Sequence, residues 1–489
     1  MMKKALTFAI FLLMLSSCQD FLNIEPQDQI SKNQALSTLD GVDAAVIGVY
    51  STLGVNDYYR QYFTAYPELA GNMQPNPAAA GSDGVVGNQS SIITTFREGN
   101  FFTIGSGYDD NNFDDFYAVL YNLLNQANNI IEALETLETD QEARRNSLLG
   151  EALALRAIAH FDLLRLYAQP FSFTEEGDHP GVVLAERPFE VTERPARRTA
   201  AEGYALVEAD LLQAIELLGP NASRTTDRIW LTPAVARGLL ARAYAYQGDW
   251  EGVIEQATAV INAGQVTLLN PEDYVDTWSE QQFNPEVLWY LDLQRFRNVD
   301  LTSSGLITSM ARVVGVPLDP ETPPFCIVTQ DLLSRFEEGD IRRELYQEVE
   351  GQVYCSKYAL QPNSISNFPM LRLSEIYLLR AEAFAALGQD ALAQADYNLI
   401  HQRAVADAIP TTLTGTELQQ EIFEERRREL ALEGHLLFDL KRTGRSVERD
   451  DCLPANPNCD LAYPDYRFAL PIPQSALNAN PNLIQNPGY

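Results

Sequence analysis

The sequence predicts a mainly α-helical fold: a scaffold of stacked helical hairpins, interrupted by irregular, loop-rich insertions and a few short strands. Three observations carry this. Apolar residues recur at helical spacing over much of the chain, two segments repeat one order of small and aromatic residues about a tight turn, and the breaks in the pattern fall in stretches rich in Gly, Asn, Pro and Ser. With 489 residues, 46% of them hydrophobic, the chain can bury a sizeable core and is not a disordered protein.

The clearest hairpin is Thr232 to Ile261, TPAVARGLLARAYAYQGDWEGVIEQATAVI. Small Ala241 precedes aromatic Tyr244 by three residues, Gly248 follows four later, and Trp250 and Val253 open the second helix. The same order returns in LRLSEIYLLRAEAFAALGQDALAQADYNLIHQRA, where Ala381, Phe384, Gly388, Ala393 and Tyr397 keep the spacing and Tyr377 stands where such repeats usually have Trp. This is the pattern of a tetratricopeptide-type repeat. Looser candidates are DFYAVLYNLLNQANNIIEAL with GEALALRAIAHFDLLRLYAQ, and AEGYALVEADLLQAIELL feeding into the Thr232 hairpin. Stacked hairpins bury a continuous core and leave their outer surfaces to partners. Repeats of this kind usually bind rather than catalyse.

The start, MMKKALTFAIFLLMLSSC, has basic Lys3 and Lys4, an apolar run from Ala5 to Leu15, and small Ser16 and Ser17 before Cys18. It reads as a secretory leader over residues 1–17, and Leu15-Ser16-Ser17-Cys18 as a bacterial lipobox that leaves Cys18 as a lipid-bearing N-terminus. The apolar run is too short to span a bilayer comfortably, and no later stretch is apolar enough. The formal net charge is -32, and losing Lys3 and Lys4 with the leader takes it to -34. Such a surface repels nucleic acid and favours neutral oligomers over sulfated ones unless a local Arg patch intervenes.

Four cysteines remain, and an exported context makes disulfides plausible. Of the three possible pairings, Cys452 with Cys459 encloses the Pro-rich loop LPANPN and leaves Cys326 with Cys355 as the second pair. None of His160, His179, His401 and His435 has ligand spacing to these cysteines, so neither a metal nor a cofactor is expected.

In chain order, a short tether after Cys18 leads to an amphipathic helix from about Leu36 to Leu53. Residues 55–112 form a long polar and aromatic loop containing Asn72, Asn76, Asp83, Asn88, Phe101, Phe102 and Tyr108. At its end, YDDNNFDDFY reads as helix capping, because the EF-hand order of a calcium loop is absent. Residues 171–200 are a connector whose Arg194, Arg197 and Arg198 read as a solvated or capping cluster. A second insertion covers about 270–367, with PEVLWYLDLQ and QVYCSKYALQ as strands and DLLSRFEEGDIRRELY as a helix. Phe296, between Arg295 and Arg297, follows its first strand in a loop where a ligand could be met. Trp278 and Trp289 stand among apolar neighbours and are expected in the core. The helical scaffold thus occupies about 36–270 and 368–445, ending in LQQEIFEERRRELALEGHLLFDLKRTGR, and residues 446–489 form a C-terminal extension.

Several of these stretches together resemble one family. Cys18-Gln19-Asp20-Phe21-Leu22 with Pro26, YNLLNQANNII, GEALALRAIAHFDLLRLYAQPF, DLLQAIELL, FPMLRLSEIYLLRAEA, ERRRELALEGHLLFDLKRTGR and the terminal QNPGY are similar, from end to end, to the SusD/RagB family of outer-membrane nutrient-binding lipoproteins. The resemblance implies a SusD-like fold for residues 18–489, lipid-anchored at the outer membrane and exposed at the cell surface. It also implies a SusC-like TonB-dependent transporter as partner, which the protein caps like a lid and to which it passes a glycan or sometimes a peptide. Many relatives carry Arg soon after the Glu-Gly-His of the late helix. Here Leu436 and Leu437 follow His435, so packing is expected in place of an ion pair.

The family's ligand platform has no fixed motif, so candidate ligand residues rest on composition. Phe102, Tyr108 and Phe296 offer flat faces to sugar rings, Asn72 and Asp83 hydroxyl contacts, and Arg97 and Arg297 polar grip. A secreted glycosidase would need opposed carboxylates on different elements. Glu425, Glu429 and Glu433 instead recur along one helix face with Arg neighbours as intrahelical partners, and no HExxH, phosphate loop or Ser nucleophile motif is present. No catalytic residue is therefore expected. A pure protein-interaction scaffold is the remaining alternative.

Overall fold

The computed structural model describes residues 31–55, 58–59, 62–75, 111–219, 227–280, 284–292, 295, 326–349, 351–358, 367–449 and 460–489. The helices and strands follow in chain order: α1 (Lys32–Ala35), α2 (Leu39–Leu53), α3 (Tyr62–Glu68), β1 (Met73–Pro75), α4 (Asn111–Thr136), α5 (Glu142–Tyr167), α6 (Ala200–Leu218), α7 (Pro233–Gln247), α8 (Trp250–Ala263), α9 (Tyr274–Ser279), β2 (Val287–Leu291), β3 (Cys326–Val328), α10 (Gln330–Ser334), β4 (Tyr346–Val349), β5 (Gln352–Cys355), β6 (Phe368–Arg372), α11 (Leu373–Ala386), α12 (Asp390–Ala404), α13 (Gly415–Glu429), α14 (Leu436–Arg442) and α15 (Gln474–Ala479). The leader, the lipobox with Cys18, and the expected Cys452–Cys459 pair lie outside the described residues.

The repeat hairpins form as their residues dictate. Thr232 caps α7 by accepting from the Val235 amide, Pro233 starts the helix where its missing N–H costs nothing, and Gly248 ends it in the left-handed region at φ 78°. Asp249 then caps α8 through the Gly252 amide. A Cβ at Gly248 would meet open space, so only backbone strain opposes substitution. Gly248→Ala is expected to cost about 1–2 kcal/mol, read as a lower urea midpoint at unchanged slope. The second hairpin, α11 and α12, turns at Gly388 with φ 70°.

Sequential helices pack on one another from α4 to α8, and α8 packs on α11 to continue the stack across the insertion. One large core runs through these layers and takes in Trp278 and Trp289, both buried as expected. A smaller core holds Ala381, Ala385, Ala393 and Tyr397 of the second hairpin against Leu418 and Ile422 of α13. Leu436 and Leu437 are buried and packed in the large core, as expected. Among the described residues, no helix is long and apolar enough to cross a membrane.

Among the described residues, three two-stranded antiparallel sheets pair β1 with β3, β2 with β6 and β4 with β5. The helical scaffold was expected to resume at about 368, but residues 368–372 form strand β6 first: Leu291 pairs with Phe368 and Val287 with Arg372. The expected helix DLLSRFEEGDIRRELY is broken, since Gly339 adopts φ 84° and Ile341–Leu345 forms a 3-10 turn. The late helix is broken too. Between α13 and α14 the chain turns through Leu432 at φ 65° and Gly434 at φ 84°. Arg197 is no solvated cation, because it donates to the carbonyls of Tyr167, Gly181 and Ile484 and so staples the C-terminal extension to the scaffold. Arg198 does form the expected surface cluster, with Glu186 and Glu202.

Arg428 does pair within its helix with Glu425, but the rest of the stretch read as intrahelical charge pairs is a buried network. Glu429 accepts from Arg372 at 2.6 Å, Arg403 at 2.5 Å and Arg342 at 3.0 Å. Glu286 binds Arg372 and Arg403, both at 2.7 Å. Glu425 takes Arg342 and Arg428, both at 2.7 Å, while Glu433 takes Arg372 and Lys357. Asp340 binds Arg342 at 2.8 Å. Five carboxylates thus face five cations, all buried, which keeps the cluster neutral. Burial pushes the Glu429 carboxyl up, but Arg403, Arg372 and Arg342 outweigh it and hold it well below the usual range.

Candidate functional site

The Asn72–Tyr108 loop and the Arg295–Arg297 loop were expected to meet a ligand, and the structure describes residues that flank them. Strand β1 ends at Pro75, directly before residues 76–110, and pairs antiparallel with β3, with Pro75 opposite Cys326. Strand β3 begins at Cys326, directly after residues 296–325. Chain segments some 250 residues apart in sequence, Met73 against Val328, are therefore brought to one ladder.

This root is held by buried polar groups. Thr329 extends the ladder, its amide donating to Asn72 O at 3.1 Å and its hydroxyl to Gly71 O at 2.6 Å. The same hydroxyl accepts from Leu332 N and caps α10. Arg427 of α13 grips both sides, donating to Asn72 Oδ1 at 2.8 Å and Asp331 Oδ2 at 2.5 Å. Glu68 completes it by accepting from Asn72 Nδ2 at 2.7 Å, Leu432 N at 3.0 Å, and Gly434 N and His435 N at 2.8 Å each. Burial raises the Glu68 carboxyl while these donors pull it back. The α13–α14 break, with its two positive-φ residues, exists to aim those amides inward.

Asn72 must therefore be removed from the expected ligand set. It is 1% exposed and its amide is spent on Glu68 and Arg427, so it supports the loop root and has no face left for a sugar hydroxyl. Asp83, Arg97, Phe102, Tyr108, Phe296 and Arg297 lie outside the described residues. Their neighbour Arg295 is placed: its amide is bonded to Asp292, and its guanidinium is paired with Asp227 at 3.0 Å and lies 5.2 Å from the Trp230 ring centroid. The expected Cys326–Cys355 pair is also corrected. Cys355 is a free, buried thiol on β5, its sulfur accepting from Lys357 N at 3.4 Å, and burial raises its pKa to about 11.

Glu425, Glu429 and Glu433 are closed to substrate, since each is buried and bonded to cations from other elements. Among the described residues no cluster of His, Cys, Asp or Glu could hold a metal ion. Sequence reasoning missed Thr329, Asp331 and Arg427 as organisers of the root. The Thr-Gln-Asp-Leu-Leu order at Thr329 was a readable helix start; the reach of Arg427 across 355 residues to Asn72 was not.

Known proteins share this architecture. Two family models match: the SusD family over residues 357–489, and a family described as starch-binding associating with outer membrane over residues 21–245. SusD-like protein P2 of Formosa agariphila is 26% identical over 541 residues, covering 100% of both chains. The starch-binding protein SusD of Bacteroides thetaiotaomicron is 32% identical over 165 residues, covering 33% of this chain and 28% of that one. A crystal structure of a SusD superfamily protein from Bacteroides thetaiotaomicron superposes with a TM-score of 0.78 at 26% identity, covering 92% of this chain and 100% of that one. A putative sugar binding protein from Bacteroides vulgatus gives 0.76 at 25% identity, covering 93% and 99%. With family matches at both ends of the scaffold and full-length likeness to named members, the chain belongs to the SusD/RagB family.

Proposed function

We propose that this protein is a surface-exposed lipoprotein, anchored through Cys18, that binds a glycan without cleaving it and hands it to a SusC-like TonB-dependent outer-membrane transporter. The observation that supports the reading is the β1–β3 ladder, which sets Pro75, just before residues 76–110, opposite Cys326, just after residues 296–325. Pooling Phe102 and Tyr108 of one loop with Phe296 of the other would give the flat faces a sugar chain needs, and Arg97 and Arg297 the polar grip. The family's description as starch-binding and associating with outer membrane supports both ligand class and location. The net charge of -32 favours a neutral glycan. Loading and release would follow a lid opening over the transporter mouth, a gate without bond chemistry.

The test is binding of the chain from Gln19 onward to panels of neutral polysaccharides, acidic polysaccharides and peptides, followed by product analysis. One neutral glycan class should be retained uncleaved. Phe102→Ala, Tyr108→Ala and Phe296→Ala should each weaken that binding by roughly tenfold, the order of one lost aromatic contact. Cleaved product, or retention of peptides alone, would overturn the reading.

A further inference from the structure

A cleft of about 490 Å³ opens between the turn of the first repeat hairpin and the far end of α14. Its size falls within the ~300–1,000 Å³ typical of small-ligand sites. It shares no lining residue with β1 or β3. Trp250, Phe423 and Tyr463 supply aromatic walls, and Trp250 and Tyr463 are only half-buried. The lining holds two arginines, Arg442 and Arg445, against a single carboxylate, Glu382. In a chain of net charge -32 this is a local reversal of sign.

The two arginines differ in what holds them. Arg442 donates to both oxygens of Glu382, at 2.6 and 2.8 Å, and its Nε donates to Asp439 at 2.7 Å, so Glu382 is already spent. Glu424, the other carboxylate near Arg445, accepts from Arg335 at 2.5 Å. Arg445 itself has no carboxylate bonded to it among the described residues. Its guanidinium carbon lies 4.1 Å from the Phe423 ring centroid, and Nη1 donates to the neutral side chain of Gln420. Its Nε is closed to solvent, whereas Nη2 is open to it and makes no hydrogen bond. Burial lowers the pKa of Arg445, Arg442 adds to that effect, and Glu424 and Glu382 offset it only in part. A half-buried guanidinium stacked on a ring and lacking a bonded counter-ion is the group that an incoming carboxylate stabilises most.

We propose that this cleft is a site for a cyclic carboxylate, either an acidic sugar or an aromatic acid, whose carboxylate pairs with Arg445 and whose ring lies against Trp250 or Tyr463. A bare anion would leave the aromatic walls wet, and a neutral ring would leave Arg445 without its counter-ion. The site is separate from the loop roots. Its ligand class stands on the charge and walls of the cleft, independently of the glycan proposed for the loops.

The chain has four tryptophans, of which Trp230, Trp278 and Trp289 are buried and Trp250 alone is half-buried at the cleft. In protein labelled with 5-fluorotryptophan, Trp250→Phe identifies the Trp250 fluorine resonance. Galacturonate or benzoate should shift that resonance saturably and leave the other three in place. A response to the first alone assigns the site to acidic sugars, and to the second alone to aromatic acids. Galactose, which has a ring without the charge, and acetate, which has the charge without a ring, should each bind at least about tenfold more weakly. Arg445→Met should weaken the response to the acids by about tenfold while the unshifted resonances report an intact fold. Arg445→Gln, which also removes the charge but keeps a polar group, takes its place if the Met variant does not fold. A Trp250 resonance that stays still with both acids, moves as readily with galactose or acetate, or responds unchanged without the Arg445 charge would overturn the proposal.

Discussion

Glu429→Gln is expected to destabilise the fold by about 3–5 kcal/mol, the cost of breaking a buried ion pair from one side. The substitution keeps the shape and removes one charge, leaving Arg342, Arg372 and Arg403 with an excess positive charge that water cannot reach. The control is Arg198→Ala, whose partners Glu186 and Glu202 are about half exposed and whose loss should cost no more than about 1 kcal/mol. Urea unfolding of the two variants decides the matter, and equal midpoints would mean that the network adds no stability. The same carboxylates set the acid limit. Glu429, Glu425 and Glu433 all titrate below their ordinary value of 4.5 because neighbouring cations outweigh burial, and Glu375, beside Arg242, sits at about 2. Their contribution is complete above pH 4.5 and is lost as pH falls toward the folded values. An earlier, shallower loss begins near pH 6.5. Burial holds His160 down to about 3 and His435 to about 4, so the unfolded chain takes up those protons first. Stability measured between pH 7 and 3 should therefore fall in two stages.

Glu68→Ala is expected to cost at least about 3 kcal/mol, since each buried donor left without an acceptor costs ~1–3 kcal/mol and this change orphans the amides of Leu432, Gly434 and His435 together with the Asn72 side chain. Glycan affinity should fall with it, because Asn72 leads directly into β1 and the loop root. Glu68→Gln, which keeps one acceptor oxygen, should lie between the two. Urea midpoints and binding isotherms on the same samples test this. Lost stability with unchanged affinity would show that the root does not position the loops.

The contrast between what the sequence reveals and what it conceals follows the range of the interactions. The Thr232 hairpin is readable because its cap, its Pro at the helix start and its Gly-Asp turn all act within three or four residues. Strand β6 was hidden because FPMLR continues straight into an apolar helix, and its partner lies some 80 residues earlier in β2. Glu425, Glu429 and Glu433 recur every four residues, so they look like partners for the adjacent arginines. In fact the helix has ended before Glu433, and apart from Arg428 their cations come from β6, α12 and the segments around β4 and β5. Asn72 read as a loop residue by composition alone, which cannot report that an arginine 355 positions later would claim it. The candidate loops were legible as places where helical period lapses, and their common root required the strand pairing.

That root also bears on how the protein comes to exist. The hairpins from α4 to α8 are assembled from neighbours in sequence and can pack as soon as they are made, whereas β1 waits for residues 326–328 and Glu68 for residues 432–435. Contacts of such separation form slowly, because the chain between them must first be ordered. A chain interrupted before α13 would hold its repeats and lack the contacts that fix the root. If the proposed loops bind the glycan, binding competence is a property acquired last, when nearly the whole polypeptide has been released and the two distant ends of that root have met.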